Sequence, residues 1–120
     1  MKSFVVGALF ALALVSGAVA EDARNVNIVN ETGYGIKFLG FNNPGDDDWS
    51  DNELGSVLRN RGSVYVKFNT ADDGCVWNLK IEWADPGYPD VLWNDVDLCK
   101  ISTLRLRYNR ATDTTSYLAE

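Results

Sequence analysis

Residues 77–83 read "WNLKIEW" and alternate strictly between large apolar and polar side chains. The apolar positions are Trp77, Leu79, Ile81 and Trp83. Successive side chains of a β-strand point to opposite faces, so a period of two predicts a strand with one buried face. We therefore expect a half-buried strand here, with both tryptophans packed in a core.

Similar signals recur along the chain, as period-two alternation or as short apolar runs between turn residues. They predict further strands at 26–30, 35–40, 63–68, 91–93 and 103–108. The tail, 109–120, is either a frayed end or one last short strand. Strands of this length, turn-rich and without helix signals between them, predict an all-β protein, an antiparallel β-sandwich of about six to seven strands.

The N-terminus has the features of a signal peptide. Lys2 precedes an apolar run, and Ala18-Val19-Ala20 matches a small-x-small cleavage site. We predict that residues 1–20 are cleaved after Ala20 and that 21–120 forms a single β-sandwich domain, periplasmic or secreted. No later apolar run approaches the roughly 18 residues that span a bilayer, so we expect no membrane insertion. The expected state is a monomer.

The charge balance limits the class of partner. Without Lys2, the chain carries 10 basic and 17 acidic residues, a net charge of −7. A negative surface is unfavourable for nucleic acid and for anionic membranes, and it leaves cationic partners and metal ions open.

Two absences argue against the commonest catalytic chemistry. The chain has no histidine, the usual general base. Its two cysteines, Cys75 and Cys99, most simply pair in an oxidising compartment, although two free thiols are an alternative. Without histidine or free thiolate, zinc also loses its preferred ligands. We therefore expect no enzyme activity of these types.

An acidic loop, defined here as residues 46–53, is the first candidate site. Carboxylates and carbonyl oxygens are the ligands that calcium prefers, and the candidates are Asp46, Asp48, Asp51 and Glu53, with Asn52 completing the shell. An EF-hand is excluded, because counting from Asp46 the sixth position is Asp51 instead of glycine, and the twelfth is Val57 instead of glutamate.

Alternatives to calcium stay open for this loop. It is also typical of a solvated acidic turn, or of a recognition loop for a cationic or sugar partner. Trp49 within it either anchors the loop to the sandwich or contacts a partner. A second acidic group consists of Asp72 and Asp73, which precede Gly74, and of Asp90, Asp95 and Asp97, which flank Trp93. Paired carboxylates leave a hydrolase as a distant alternative.

The mature chain resembles a family of small bacterial exported proteins. The resemblance is carried, in order, by "IVNETGYGIKFLGF", "DDWSDNELGSVL", "GSVYVKF", "CVWNLKIEW" and "LWNDVDLCKISTLRLRY", which together cover almost all of 26–108. Members often carry the name argininosuccinate lyase. The genuine lyase is a much longer, mostly helical tetramer that uses histidine, which this chain lacks.

The resemblance therefore implies a fold, export and the Cys75–Cys99 disulfide, but no reaction. It draws attention to Asp48, Trp49, Asp51, Leu54 and Gly55 as motif positions. This chain departs from the family at "KFLGFNNPG", where a Tyr-Val-Ser-Pro-like run is typical.

Taken together, these features predict an exported, non-catalytic binding module. In one version the acidic loop binds calcium. In the other, the loop contacts a protein or an envelope polymer directly and needs no metal, with Trp49 and Asn52 as the binding residues.

Overall fold

The structure, a computed structural model, describes residues 22–69 and 74–120. The signal peptide predicted at 1–20 lies outside these ranges. Seven strands are present: β1 (Val26–Glu31), β2 (Ile36–Asn42), β3 (Ser63–Val66), β4 (Val76–Trp83), β5 (Val91–Asp97), β6 (Thr103–Asn109) and β7 (Thr114–Ala119). A short 3-10 helix, Leu98–Lys100, follows β5. In the described part of the chain, no helix is long and apolar enough to cross a membrane.

The strands form two sheets, and the predicted all-β sandwich is confirmed. One sheet has the order β3-β1-β6-β7 and the other β2-β4-β5. Four of the five strand pairs are antiparallel, and β1 pairs with β6 in parallel. A parallel pair needs a long crossover. Here that crossover includes the whole of the second sheet, because the chain builds β2, β4 and β5 before returning beside β1.

The core lies between the two sheets and follows the period-two pattern. Every second residue of β4 is buried, as the alternation predicts, and both Trp77 and Trp83 belong to the core. From the other sheet, Ile28, Leu104 and Leu106 are fully buried. Burying a large aliphatic side chain contributes about 1.5–3 kcal/mol, so this interface supplies most of the drive to fold.

A buried asparagine holds the turn between β1 and β2. Asn30 has 0% exposure, and its Oδ1 accepts hydrogen bonds from Thr32 N and Oγ1 at 3.0 and 2.7 Å. Its Nδ2 donates to the carbonyls of Tyr34 and Leu58 at 2.7 and 2.9 Å. Asn30-Glu31-Thr32 matches a glycosylation sequon in sequence. In the folded protein, however, the amide nitrogen of Asn30 is buried and already donates two hydrogen bonds.

The predicted disulfide is present, so the free-thiol alternative is wrong. Cys75, just before β4, is bonded to Cys99 in the 3-10 helix, with Cα atoms 5.2 Å apart. Next to the bond, Leu98 N donates to Cys75 O at 2.9 Å. The bond therefore ties the start of β4 to the segment that leaves β5.

Candidate functional site

Part of the acidic loop covers the free edge of β2. Ser50 exchanges two hydrogen bonds with the backbone of Phe41, its N donating to O at 2.8 Å and its Oγ accepting from N at 3.0 Å. Asn52 Oδ1 accepts from Leu39 N at 3.1 Å, and its Nδ2 donates to Lys37 O at 2.8 Å. An exposed strand edge invites pairing with another chain. The side chains of Ser50 and Asn52 close this edge much as a neighbouring strand would.

Trp49 is half-buried on the outer face of the three-stranded sheet. Lys80 Nζ lies 4.9 Å from the centre of its ring and 5.3 Å from that of Phe38. The Phe38 ring in turn covers Gly40, where any Cβ would lie 2.7 Å from the ring. Of the two roles considered for Trp49, this geometry matches an anchor for the loop.

The four predicted calcium ligands are not brought together. Among the described residues, no three carboxylates of the acidic loop present oxygens within 4.8 Å of one another. A group that meets this distance is Cys75, Asp97 and Cys99. Its sulfurs are joined in the disulfide, so they are not thiolate ligands.

Three of the four ligands nevertheless line one cavity of about 270 Å³, together with Asn42 and Trp77. They are Asp46, Asp48 and Glu53. Burial raises the pKa of Glu53, against the hydrogen bond from Ser50. Asn42 is 6% exposed, and its Oδ1 has no hydrogen-bond partner among the residues that the structure describes. A buried acceptor without a donor is unfavourable, so this cavity has one unmet demand for a donor or a cation.

A larger concave surface lies at the other end of the sandwich. Three connections build it: 32–35 between β1 and β2, 84–90 between β4 and β5, and 110–113 between β6 and β7. Its volume is about 610 Å³. We call it the aromatic cleft, and its chemistry is carried by Tyr34, Trp83, Tyr88, Tyr108, Asp85, Asp90 and Asp113.

Three of the aromatic rings of the cleft, those of Tyr34, Trp83 and Tyr108, form one connected group around Tyr34. Its ring meets Trp83 and Tyr108 edge to face, with centroids 6.3 and 5.8 Å apart. Trp83 is only 9% exposed, whereas Tyr34 is 42% and Tyr88 is 63% exposed. The cleft therefore has a fixed aromatic floor and one exposed aromatic wall.

The polar groups of the cleft are acidic. Tyr108 OH donates to Asp113 Oδ1 at 2.8 Å, and this hydrogen bond raises the pKa of Tyr108. Asp85 Oδ1 accepts from Gly87 N at 3.0 Å, which shapes the 84–90 loop. Among the described lining residues none is basic, and the nearest cation with an effect on Tyr108 is Arg110 in the β6–β7 turn.

Comparison of the chain with protein-family models, curated proteins and solved structures finds no match.

The cleft brings together residues that the sequence interpretation used only as turn or strand residues. Of the second acidic group, Asp90 lies in the cleft and Asp95 and Asp97 do not, while Asp72 and Asp73 lie outside the described residues. Asp97 instead accepts from Cys99 N at the start of the 3-10 helix. A usable signal was present: each of the three turns has a tyrosine within or beside it, and two of them, 84–90 and 110–113, also carry aspartate. That signal does not reveal that the turns converge.

Proposed function

We propose that this protein is an exported, non-catalytic binding module and that the aromatic cleft is its ligand-binding site. The observation that carries the proposal is the cleft itself, about 610 Å³ with partly exposed tyrosines above a buried tryptophan. Ligand sites in proteins span about 300–1,000 Å³, and they combine aromatic walls with a few polar groups. Exposed aromatic side chains grouped on a concave surface are typical of contact sites.

Binding is favoured over catalysis by the residues that the chain possesses. It has no histidine, and both cysteines are in the disulfide. The cleft carboxylates point to recognition of charge, and a carboxylate-based hydrolase stays the distant alternative. Turnover of a glycan or a peptide by the purified protein would support that alternative instead.

The test is a nuclear magnetic resonance titration of residues 21–120 with small ligands of defined class: sugars, amino acids and amines. We expect one class to shift the backbone signals of Ala84 and Leu92 and the indole signal of Trp83. Tyr88→Ala should weaken these shifts. Tyr65→Ala, which removes a tyrosine 46% exposed outside the cleft, is the matched control. Shifts that cluster elsewhere, or that survive in Tyr88→Ala, would place the site outside the cleft.

A second candidate is calcium binding at the acidic loop, and the unpartnered Oδ1 of Asn42 beside Asp46, Asp48 and Glu53 favours it. Calcium binding would require the 46–48 segment to move towards Glu53, because no three described carboxylates of the loop have oxygens within 4.8 Å of one another. A ligand that binds only the folded state raises the melting temperature. We expect millimolar calcium to do so and chelation to reverse the rise.

The assigned ligands are tested by the double variant Asp48→Asn with Asp51→Asn, which should abolish the calcium response. Asp95→Asn, outside both sites, is the control for the same change of side chain at a single position. A response that persists in the double variant would show that the ligand set is wrong. In the metal-independent version, the loop contacts its partner directly, and Trp49→Ala should lose that partner while leaving the melting temperature close to that of the wild type. A fall in the melting temperature would instead support the anchor role that the contacts of Trp49 indicate.

A further inference from the structure

We infer that the aromatic cleft recognises an organic cation, an alkylammonium group seated against its rings and between its carboxylates. This inference rests on the proposed function, because it names the ligand class of the same site. It depends on three features: the charge of the lining, the unpaired carboxylate oxygens and the aromatic faces.

The lining is negative and has no counter-charge of its own. Asp85, Asp90 and Asp113 are all exposed, and no lysine or arginine stands among the described lining residues. The ion pairs found in residues 22–69 and 74–120 use other acidic groups, such as Glu31 with Arg105 and Arg107. The three cleft carboxylates thus form no ion pair within the described chain. A positively charged ligand would therefore gain an electrostatic attraction that no side chain of the described residues already supplies.

Several carboxylate oxygens are free to accept. Asp85 and Asp113 each use Oδ1, with Gly87 N and Tyr108 OH respectively, and leave Oδ2. Asp90 has no hydrogen bond with any described residue. The free acceptors therefore come from two of the three connections that build the cleft, 84–90 and 110–113, and its described side-chain donors are the tyrosine hydroxyls, Thr115 Oγ1 and Trp83 Nε1. The negative charge of these acceptors suits a ligand that donates hydrogen bonds or carries positive charge, and it is unfavourable for an anion.

The aromatic faces decide between a metal ion and an organic cation. A hard metal ion requires oxygens that converge to about 2.3–2.6 Å from it, and no three described carboxylates of the cleft lie close enough together. An alkylammonium group is larger, and it is attracted to the faces of tyrosine and tryptophan rings within about 6 Å. The exposed Tyr34 and Tyr88 supply such faces.

The experiment compares choline with 3,3-dimethylbutan-1-ol, in which carbon replaces the charged nitrogen. Signals of Trp83, Ala84 and Leu92 report on binding. We expect choline to bind roughly tenfold more tightly than the neutral analogue, because only choline gains the cation–π attraction and the attraction to the carboxylates. Its affinity should fall as salt rises, since exposed charges are screened over about 10 Å at 0.1 M.

Two variants test the residues. Asp90→Asn and Tyr88→Leu should each weaken choline binding by roughly threefold or more. Asp95→Asn and Tyr65→Leu, which make the same changes outside the cleft, should leave it unchanged. An N-acetylated tripeptide with a central lysine provides a second cation. Tighter binding of the peptide would assign the cation to a peptide side chain, and tighter binding of choline to a small amine.

The outcomes separate the two proposals. If the neutral analogue binds as tightly as choline or more tightly, with shifts still at the cleft, the inference of a cationic ligand is refuted and the cleft remains the proposed binding site. Shifts from no probe of any class would overturn both.

Discussion

Replacement of Asn30 by alanine tests whether this one side chain holds the turn that positions Tyr34 in the cleft. The substitution removes four hydrogen bonds, to Thr32 N, Thr32 Oγ1, Tyr34 O and Leu58 O. Each is worth about 1 kcal/mol net. The two carbonyls keep other donors, Thr32 Oγ1 and Ile36 N, so the cost of an unmet buried group falls mainly on Thr32 N.

We therefore expect Asn30→Ala to lower the free energy of unfolding by about 3–4 kcal/mol, a large part of the 5–15 kcal/mol typical of a domain. The assay is urea unfolding, in which the midpoint should fall while the slope stays constant. The control is Asn60→Ala, which removes a single exposed hydrogen bond from Gly33 N and should cost under about 1 kcal/mol. A loss below about 1 kcal/mol for Asn30→Ala, at unchanged slope, would refute the reasoning.

Four further perturbations have defined outcomes. Replacing both Cys75 and Cys99 by alanine opens a loop of sequence separation 24 and should cost about 3 kcal/mol in urea unfolding; a cost near zero would contradict this. Asn52→Ala uncovers the β2 edge and should increase self-association, measured by light scattering at increasing concentration; a variant whose scattering equals that of the wild type at every concentration would refute the covering role. The hydrogen bonds from Arg24 lower the pKa of Asp22 to about 2, so its stabilising contribution is complete above pH 3.8 and is lost as pH falls towards 2; Asp22→Asn should flatten that part of the acid unfolding curve. Burial raises the pKa of Glu53, which opposes folding once pH rises through that raised value; Glu53→Gln should therefore be more stable than the wild type at pH 7, and equal or lower stability would contradict this.

Much of the strand content follows from alternation, and its failures have local causes. The strand predicted at 91–93 is longer in the structure and ends at Asp97. After Trp93, its pairing with β4 is irregular between Trp77 and Leu79, and Asp95 adopts a positive φ of 59°. This irregularity breaks the period of two, so the pattern ends early. The tail forms β7, an edge strand whose many threonine and serine residues carry little alternation.

The parallel pairing of β1 with β6 has no local signature in the sequence, because it depends on where the chain returns after building the second sheet. The same limit applies to the candidate sites. Composition identifies the acidic loop, but it does not show that the side chains of Ser50 and Asn52 form hydrogen bonds with the backbone of the β2 edge. Tyr34 and Tyr88 lie in two different turns and Tyr108 lies near the end of β6, far apart in sequence, and only the sheet topology makes them neighbours.

The two ends of β4 show why the cleft, rather than the acidic loop, is the better site for a ligand. Trp77 and Trp83 stand at these ends, about 20 Å apart at 3.3 Å per residue. At the Trp77 end, the disulfide ties β4 to the 3-10 helix. The acidic loop runs along β2, where Trp49 and Asn52 already have partners within the protein. At the Trp83 end, aromatic rings stay exposed and carboxylates stay unpaired. Folding alone favours burial of such rings and pairing of such charges. At the Trp83 end, the described residues neither bury these rings nor pair these charges. A ligand that does both therefore gains most free energy by binding at this end.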